Sequence, residues 1–258
     1  MKPEDRRRRI AELVHQSNRV AVEELAALLG ISRETVRRDL ALLSEQGVVR
    51  KVHGGATTAQ TASESPLAER RAEARAAKIA IGRTAAALFK PGDSLLIDAG
   101  TTTIAFAEQL AKRGPFTVIT NSTLVAQELW ASPQRGNIHL LGGSYHGDGY
   151  EILGPQVVEQ IQKVHADHAV LTVGAIDPAG RVMDFNGDEA YVARAMIASA
   201  RHVTVLADAT KLGRHALFQV CGPESIDRIV TDRAADAVLT STLKAAGIEV
   251  IIAGPDTA

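Results

Sequence analysis

A chain of 258 residues with 45% hydrophobic and 23% charged content is globular rather than disordered, with room for one large core or for two domains of which one is small. Its net charge of −1 is unevenly placed: residues 1–55 hold 11 Lys+Arg against 8 Asp+Glu, net +3, and residues 56–258 hold 18 against 22, net −4. Cys221 is the only cysteine, which excludes an intrachain disulfide framework or a multi-cysteine metal site and fits a cytoplasmic protein; no targeting or membrane-length apolar run is legible.

The first predicted helix carries Ile10, Leu13 and Val14 at helical spacing behind the basic run of residues 6–9. A second covers residues 22–29, with Val22, Leu25, Leu28 and Leu29 inward and Gly30 as its left-handed end. Ser32 then caps a third helix, and Glu34 adds first-turn negative charge. In that helix Val36, Leu40 and Leu43 share one face, Glu34, Thr35 and Arg38 lie roughly opposite, and Arg33 and Arg37 flank it. Arg37-Arg38 by itself reads as an ordinary solvated pair, but the whole unit reads as a helix-turn-helix whose last helix enters the DNA major groove. Beyond Gly47, residues 48–53 alternate as a strand and Gly54-Gly55 turns the chain, a basic β-wing. The expected DNA-binding residues are Ser32, Arg33, Thr35, Arg37, Arg38, Arg50, Lys51 and His53.

Ile31-Ser32-Arg33-Glu34-Thr35-Val36-Arg37-Arg38-Asp39-Leu40, followed by Gly47 and by Val52-His53-Gly54-Gly55-Ala56, resembles the signature of the DeoR family of bacterial transcriptional regulators. The resemblance implies a winged DNA-binding head over residues 1–56, its helix-turn-helix at about residues 20–39, and double-stranded operator DNA as a partner. Helix-turn-helix proteins bind repeated half-sites, so a homodimer or homotetramer is expected.

Residues 57–66 are small and polar and read as a flexible linker. From Leu67 the composition predicts one helix to about Leu88 or Phe89, with Arg70, Arg71, Arg75 and Lys78 as a solvated face.

In the body, residues 67–258, apolar runs alternate with helical patterns, which predicts an α/β unit with a mainly parallel, Rossmann-like sheet. Ligands of such sheets sit beyond the carboxyl ends of strands. Those ends read Asp98-Ala99-Gly100-Thr101-Thr102-Thr103, Thr120-Asn121, Gly142-Gly143, Gly174-Ala175-Ile176-Asp177, Asp208-Ala209-Thr210-Lys211 and Thr231-Asp232. Any one of them fits an ordinary turn, and the threonines at residues 101–103 fit a helix cap as well as a phosphate seat. Together they predict a cleft for a small phosphorylated sugar or polyol. Lys211 supplies positive charge, Thr101, Thr102, Thr103, Thr120 and Asn121 hydrogen bonds, Asp98, Asp177 and Asp208 acceptors for hydroxyls, and Gly100, Gly142 and Gly143 close backbone approach. The same strand ends resemble the effector domain of the DeoR family, which is similar in fold to ribose-5-phosphate isomerase and coenzyme A transferases. The resemblance implies that a phosphorylated metabolite modulates repression of a catabolic operon.

An isomerase is the competing reading, since the cleft offers carboxylates as bases. Glu189 is the best remaining base, or equally the first-turn acid of its helix and part of the effector site. The acid-rich loop of the isomerase is reduced here to residues 174–178 with no lysine nearby, which predicts binding without catalysis. A packaging protein would leave the polar cleft unexplained. No metal or cofactor is expected, because no histidine pair has ligand spacing with a supporting acid; His139, His165 and His168 read as strand-edge or surface residues.

Overall fold

The computed structural model describes residues 3–17, 19–45, 49–52, 54–58 and 67–254, in two compact units, Met1–Ser65 and Pro66–Ala258. The first unit holds α1 (Pro3–Ser17), β1 (Arg19–Ala21), α2 (Val22–Leu29), α3 (Arg33–Glu45), β2 (Val49–Val52) and β3 (Gly55–Thr58). Ile10, Val14, Val20, Leu25, Val36 and Leu40 form its core. Gly30 ends α2 at φ 64°, a left-handed residue whose N–H bonds Ala26 O, and this turns the chain into α3. The strands form an antiparallel sheet in the order β1-β3-β2. Gly55 is required there: a Cβ would sit 2.3 Å from the Val20 carbonyl oxygen. The expected linker start is corrected, because Thr57 and Thr58 belong to β3 and pair with Arg50 and Val49; residues 59–66 lie outside the described residues.

The second unit begins with α4 (Leu67–Ala72) and α5 (Arg75–Ala86). The single helix expected from residue 67 is therefore two, broken at Ala74, which is left-handed at φ 50°. Then follow β4 (Ser94–Ile97), α6 (Thr101–Leu110), β5 (Thr117–Thr120), α7 (Thr123–Trp130), β6 (Asn137–Leu140), a hairpin of β7 (Ser144–His146) and β8 (Glu151–Leu153), and α8 (Pro155–Ile161). The chain continues through β9 (Ala166–Thr172), β10 (Ala175–Ile176), β11 (Val182–Asp184), α9 (Gly187–Ala198), β12 (Ala200–Leu206), β13 (Phe218–Cys221), β14 (Arg228–Thr231), α10 (Ala237–Ala245) and β15 (Glu249–Ile252).

Seven strands make one parallel sheet in the order β15-β14-β12-β9-β4-β5-β6. Leu95, Ile97, Phe106, Leu110 and Phe89 are almost wholly buried beneath it, each contributing about 1.5–3 kcal/mol of burial. The connections run outward from β4 to β5 and β6 on one side, and from β9 to β12, β14 and β15 on the other. The order thus switches between β4 and β9, where open sheets of this kind leave a crevice at their carboxyl ends. A small antiparallel sheet, β10-β11-β13, and the β7-β8 hairpin are additions that alternation alone did not announce.

Candidate functional site

In the first unit the apolar stripe of α3 is spent on the core, and the opposite face is left to solvent. Arg33, Arg37 and Arg38 keep 66%, 60% and 79% of their side chains exposed, their carboxylate partners Glu23 and Glu34 standing 3.6–3.9 Å away. Such surface pairs hold their members loosely. Ser32 Oγ accepts the Thr35 N–H at 3.1 Å, capping the helix, and lies 2.9 Å from Thr35 Oγ1, so the two hydroxyls are bonded to each other. Arg6, in the basic run at the start of α1, makes a two-pronged ion pair with buried Asp39 at 2.6 and 3.2 Å, tying α1 to α3. Lys51 is exposed on β2; the Arg50 side chain and His53 lie outside the described residues.

In the second unit the strand ends line one edge, those of β9 and β12 running two residues beyond those of β4 and β5. Ile97 pairs with Thr120 and with Val170, and Leu206 pairs with Thr172, so residues 98, 121, 173 and 207 leave the sheet along one edge. Asp98, Thr101, Thr102, Thr103, Thr120, Asn121 and Asp208 are all buried there. Several are committed to local bonds. Thr103 Oγ1 donates to Gly100 O at 3.0 Å, Thr120 Oγ1 accepts the Ser122 N–H at 3.0 Å, and Asp98 Oδ1 accepts the Ala99 N–H at 2.8 Å. Asp208 Oδ1 accepts from Thr210 N and Oγ1, closing the short turn Ala209–Lys211 that carries half-buried Lys211. Asn121 donates through Nδ2 to Ile152 O at 3.3 Å, while its buried Oδ1 has no partner among the described residues.

Four expectations are corrected by this geometry. Gly100 does not leave backbone open for a ligand: its face is occupied by β9, and a Cβ would fall 2.1 Å from the Thr172 methyl. Asp177 is consumed by its own turn, accepting the Ala179 and Arg181 N–H groups at 2.9 Å and the Arg181 guanidinium at 2.6–2.7 Å. Burial pushes the Asp177 carboxyl up, but the Arg181 bonds outweigh it and hold it below the usual carboxylate range. Gly142 and Gly143 are exposed beyond edge strand β6, Gly142 bonded through both N–H and C=O to Gln160. The strand that leads to Gly142, β6, lies four strand spacings, about 19 Å, from β12, the strand that leads to Lys211. His168, read as a strand-edge or surface residue, lies in central strand β9 and is half-buried between the rings of Phe89 and His202, and burial lowers its pKa. Glu189 lies in the first turn of α9.

Sequence reasoning also missed Lys78. Far from being solvated, it keeps 6% of its surface, donates from Nζ to the Arg70 carbonyl, and has its pKa lowered by burial against the pull of Asp208. With Arg71 and Arg75 it walls a cavity of ≈ 380 Å³ between α4–α5 and α6, whose other side includes Thr101, Ile104 and Glu108. Spacings of four and three residues would place these cations on one face of an unbroken helix, but the joint at Ala74 puts Arg71 on α4 and Arg75 and Lys78 on α5, and packing buries Lys78 while leaving both arginines exposed.

The family model of the DeoR-like helix-turn-helix domain matches residues 6–62, and that of the DeoR C-terminal sensor domain matches residues 73–233. The chain belongs to the DeoR family. It is 33% identical to the HTH-type transcriptional repressor CsqR of Escherichia coli K12, over 95% of this chain and 93% of that protein. It is 32% identical to the glycerol-3-phosphate regulon repressor of the same organism (90% and 92% covered), and 33% identical to the HTH-type transcriptional repressor GlcR of Bacillus subtilis 168 (99% and 98%). Ribose 5-phosphate isomerase A of Methanocaldococcus jannaschii shares 14% identity and a TM-score of 0.38 over 52% of this chain and 53% of its own. In this DeoR-family regulator the helix-turn-helix match covers the arginine face of α3, and the sensor match spans the carboxyl edge of the sheet.

Proposed function

We propose that this DeoR-family regulator is a repressor of a sugar or polyol catabolic operon, and that a phosphorylated sugar or polyol bound in Pro66–Ala258 lowers its affinity for operator DNA. The observation that carries this reading is the carboxyl edge at the β4/β9 switch. Asp98, Thr101, Asn121, Asp208 and Lys211 leave neighbouring strands there, and a buried amide oxygen of Asn121 has no partner among the described residues. Relatives named for glycerol 3-phosphate support a phosphorylated polyol as the ligand class. Arg33, Arg37, Arg38 and Lys51, with Arg50 and His53, are the residues assigned to DNA, and a homodimer or homotetramer in the cytoplasm is the assembly that operator half-sites call for. The larger unit is read as a Rossmann-like relative of ribose-5-phosphate isomerase and coenzyme A transferases that binds without turnover. The loop acid left over from that chemistry, Asp177, supports this, because its oxygens are held by Arg181 and Ala179.

The test is a gel-shift assay with the DNA upstream of the protein's own gene against random DNA of equal length, with release measured for a panel of phosphorylated sugars and polyols. Selective binding and release by a panel member are expected, and Lys211→Ala should bind DNA normally but lose release. Equal affinity for random DNA refutes the regulator reading; turnover of a panel member refutes the sensor reading in favour of the isomerase.

A further inference from the structure

Arg6 and Asp39 both stand at positions that their helices otherwise give to the core of the first unit. In α1, Arg6 lies four residues before Ile10 and eight before Val14, on the same face. In α3, Asp39 lies three residues after Val36 and four before Leu43, on the face those residues send inward. The two side chains accordingly keep only 17% and 5% of their surface. A carboxylate placed there is costly unless it is paired. Its partner comes from 33 positions away in the chain: Arg6 Nε donates to Asp39 Oδ2 at 2.6 Å and Nη2 to Oδ1 at 3.2 Å. Apolar side chains would fill the same space without that cost, but their attraction has no direction. A planar guanidinium gripping a carboxylate with two bonds fixes both distance and orientation.

We infer that Arg6 is a positioning residue for DNA reading: its pair with Asp39 sets the rotation of α3 about its own axis, and with it the direction of Arg37 and Arg38. The inference rests on the assignment of the arginine face of α3 to DNA and adds what aims that face. Asp39 directly follows Arg37 and Arg38, so the anchored residue and the reading residues belong to one turn of helix. A rotation of about 10–20° carries a group at the helix surface, about 5–6 Å from the axis, through about 1–2 Å. That exceeds the tolerance of about 0.5 Å within which a preorganised site works. A basic run at the start of a DNA-binding head also offers contacts to phosphate, which orient the protein on the duplex without reading sequence. The two roles predict different data.

The experiment titrates the full-length protein with the DNA upstream of its own gene and with random DNA of equal length, over a range of salt concentrations. The temperature is one at which the melt of each variant shows it folded. Arg6→Met and Asp39→Asn should each lower the preference for the upstream DNA about tenfold, the loss of one well-placed base contact. Affinity for random DNA and its salt slope should stay as in the wild type. Arg6→Lys keeps the charge without the fork and should recover only part of the preference. Arg6→Met combined with Asp39→Leu removes the unpaired carboxylate, so it should regain the thermal midpoint but not the preference. A salt slope lowered by about 0.9 in Arg6→Met and unchanged in Asp39→Asn would make Arg6 a phosphate contact and overturn the inference. Single variants that melt lower yet keep the wild-type preference while folded would overturn it too, as would a double variant that regains preference together with midpoint. If the wild type itself does not prefer the upstream DNA, the regulator reading falls and takes this inference with it.

Discussion

Gly82 is the point at which α5 lies directly on α6, and the contact makes a two-sided prediction. A Cβ built on it would stand 2.6, 2.7 and 2.8 Å from Ala105 O, Ala105 C and Phe106 N, all backbone atoms, whereas ordinary contact begins at 3.4 Å. Relief therefore requires the helices to part locally by about 0.8 Å. No side-chain rotation provides it, and overpacking of this kind costs about 1–3 kcal/mol. Against this, alanine is a better helix former than glycine by about 1 kcal/mol. Gly82→Ala should thus destabilise the protein by up to about 2 kcal/mol, a fall of up to about 8 °C in thermal midpoint for a unit of this size. Differential scanning calorimetry in phosphate-free buffer is the assay. A midpoint that rises, as helix propensity alone demands, would refute the close packing of α5 on α6.

Ala74→Gly should act in the opposite direction, since the left-handed φ of 50° costs alanine about 1–2 kcal/mol and glycine loses about 0.5–1 kcal/mol of chain entropy instead. A higher midpoint by equilibrium denaturation is expected, and a lower one would show that Ala74 is not strained. The depressed pKa of His168 gives a pH dependence with a definite sign. Neutral His168 contributes stability that is fully present above the unfolded value of 6.5 and is lost as the pH falls toward the folded one, because the unfolded chain takes up the proton first. Melts from about pH 8 to pH 5 should show this acid limb, and His168→Phe should flatten it; an unchanged slope assigns the limb to other groups. Arg38, with its side chain 79% exposed, makes only a loose pair with Glu34 in the free protein. Arg38→Ala should leave stability nearly unchanged, weaken operator binding about tenfold or more, and relax preference at one base pair if it reads guanine. Uniform weakening across sequences would make it a phosphate contact.

The helix-turn-helix was legible because its rules are local. The stripe of Val36, Leu40 and Leu43, the left-handed Gly30 and the Ser32 cap each specify backbone within a few residues, and each is in place in the structure. The parallel sheet was legible for a related reason: a short apolar run followed by a 3.6-residue period can bury itself in few ways, so the strands and their polar carboxyl ends follow from alternation.

Properties that depend on a distant partner were not legible. Gly100 looked like an opening for a ligand, yet its missing Cβ makes room for Thr172, 72 positions later in the chain. Gly55 looked like a turn residue although it is the Val20 carbonyl that forbids a side chain. Lys78 shows the difference most directly. By itself the sequence determined that Arg75 and Lys78 share a helical face, since that follows from the period of the helix. Whether that face met water or a cavity was decided only when Gly82 let α5 close onto α6, because burial is a property of two surfaces and the chain encodes each of them separately.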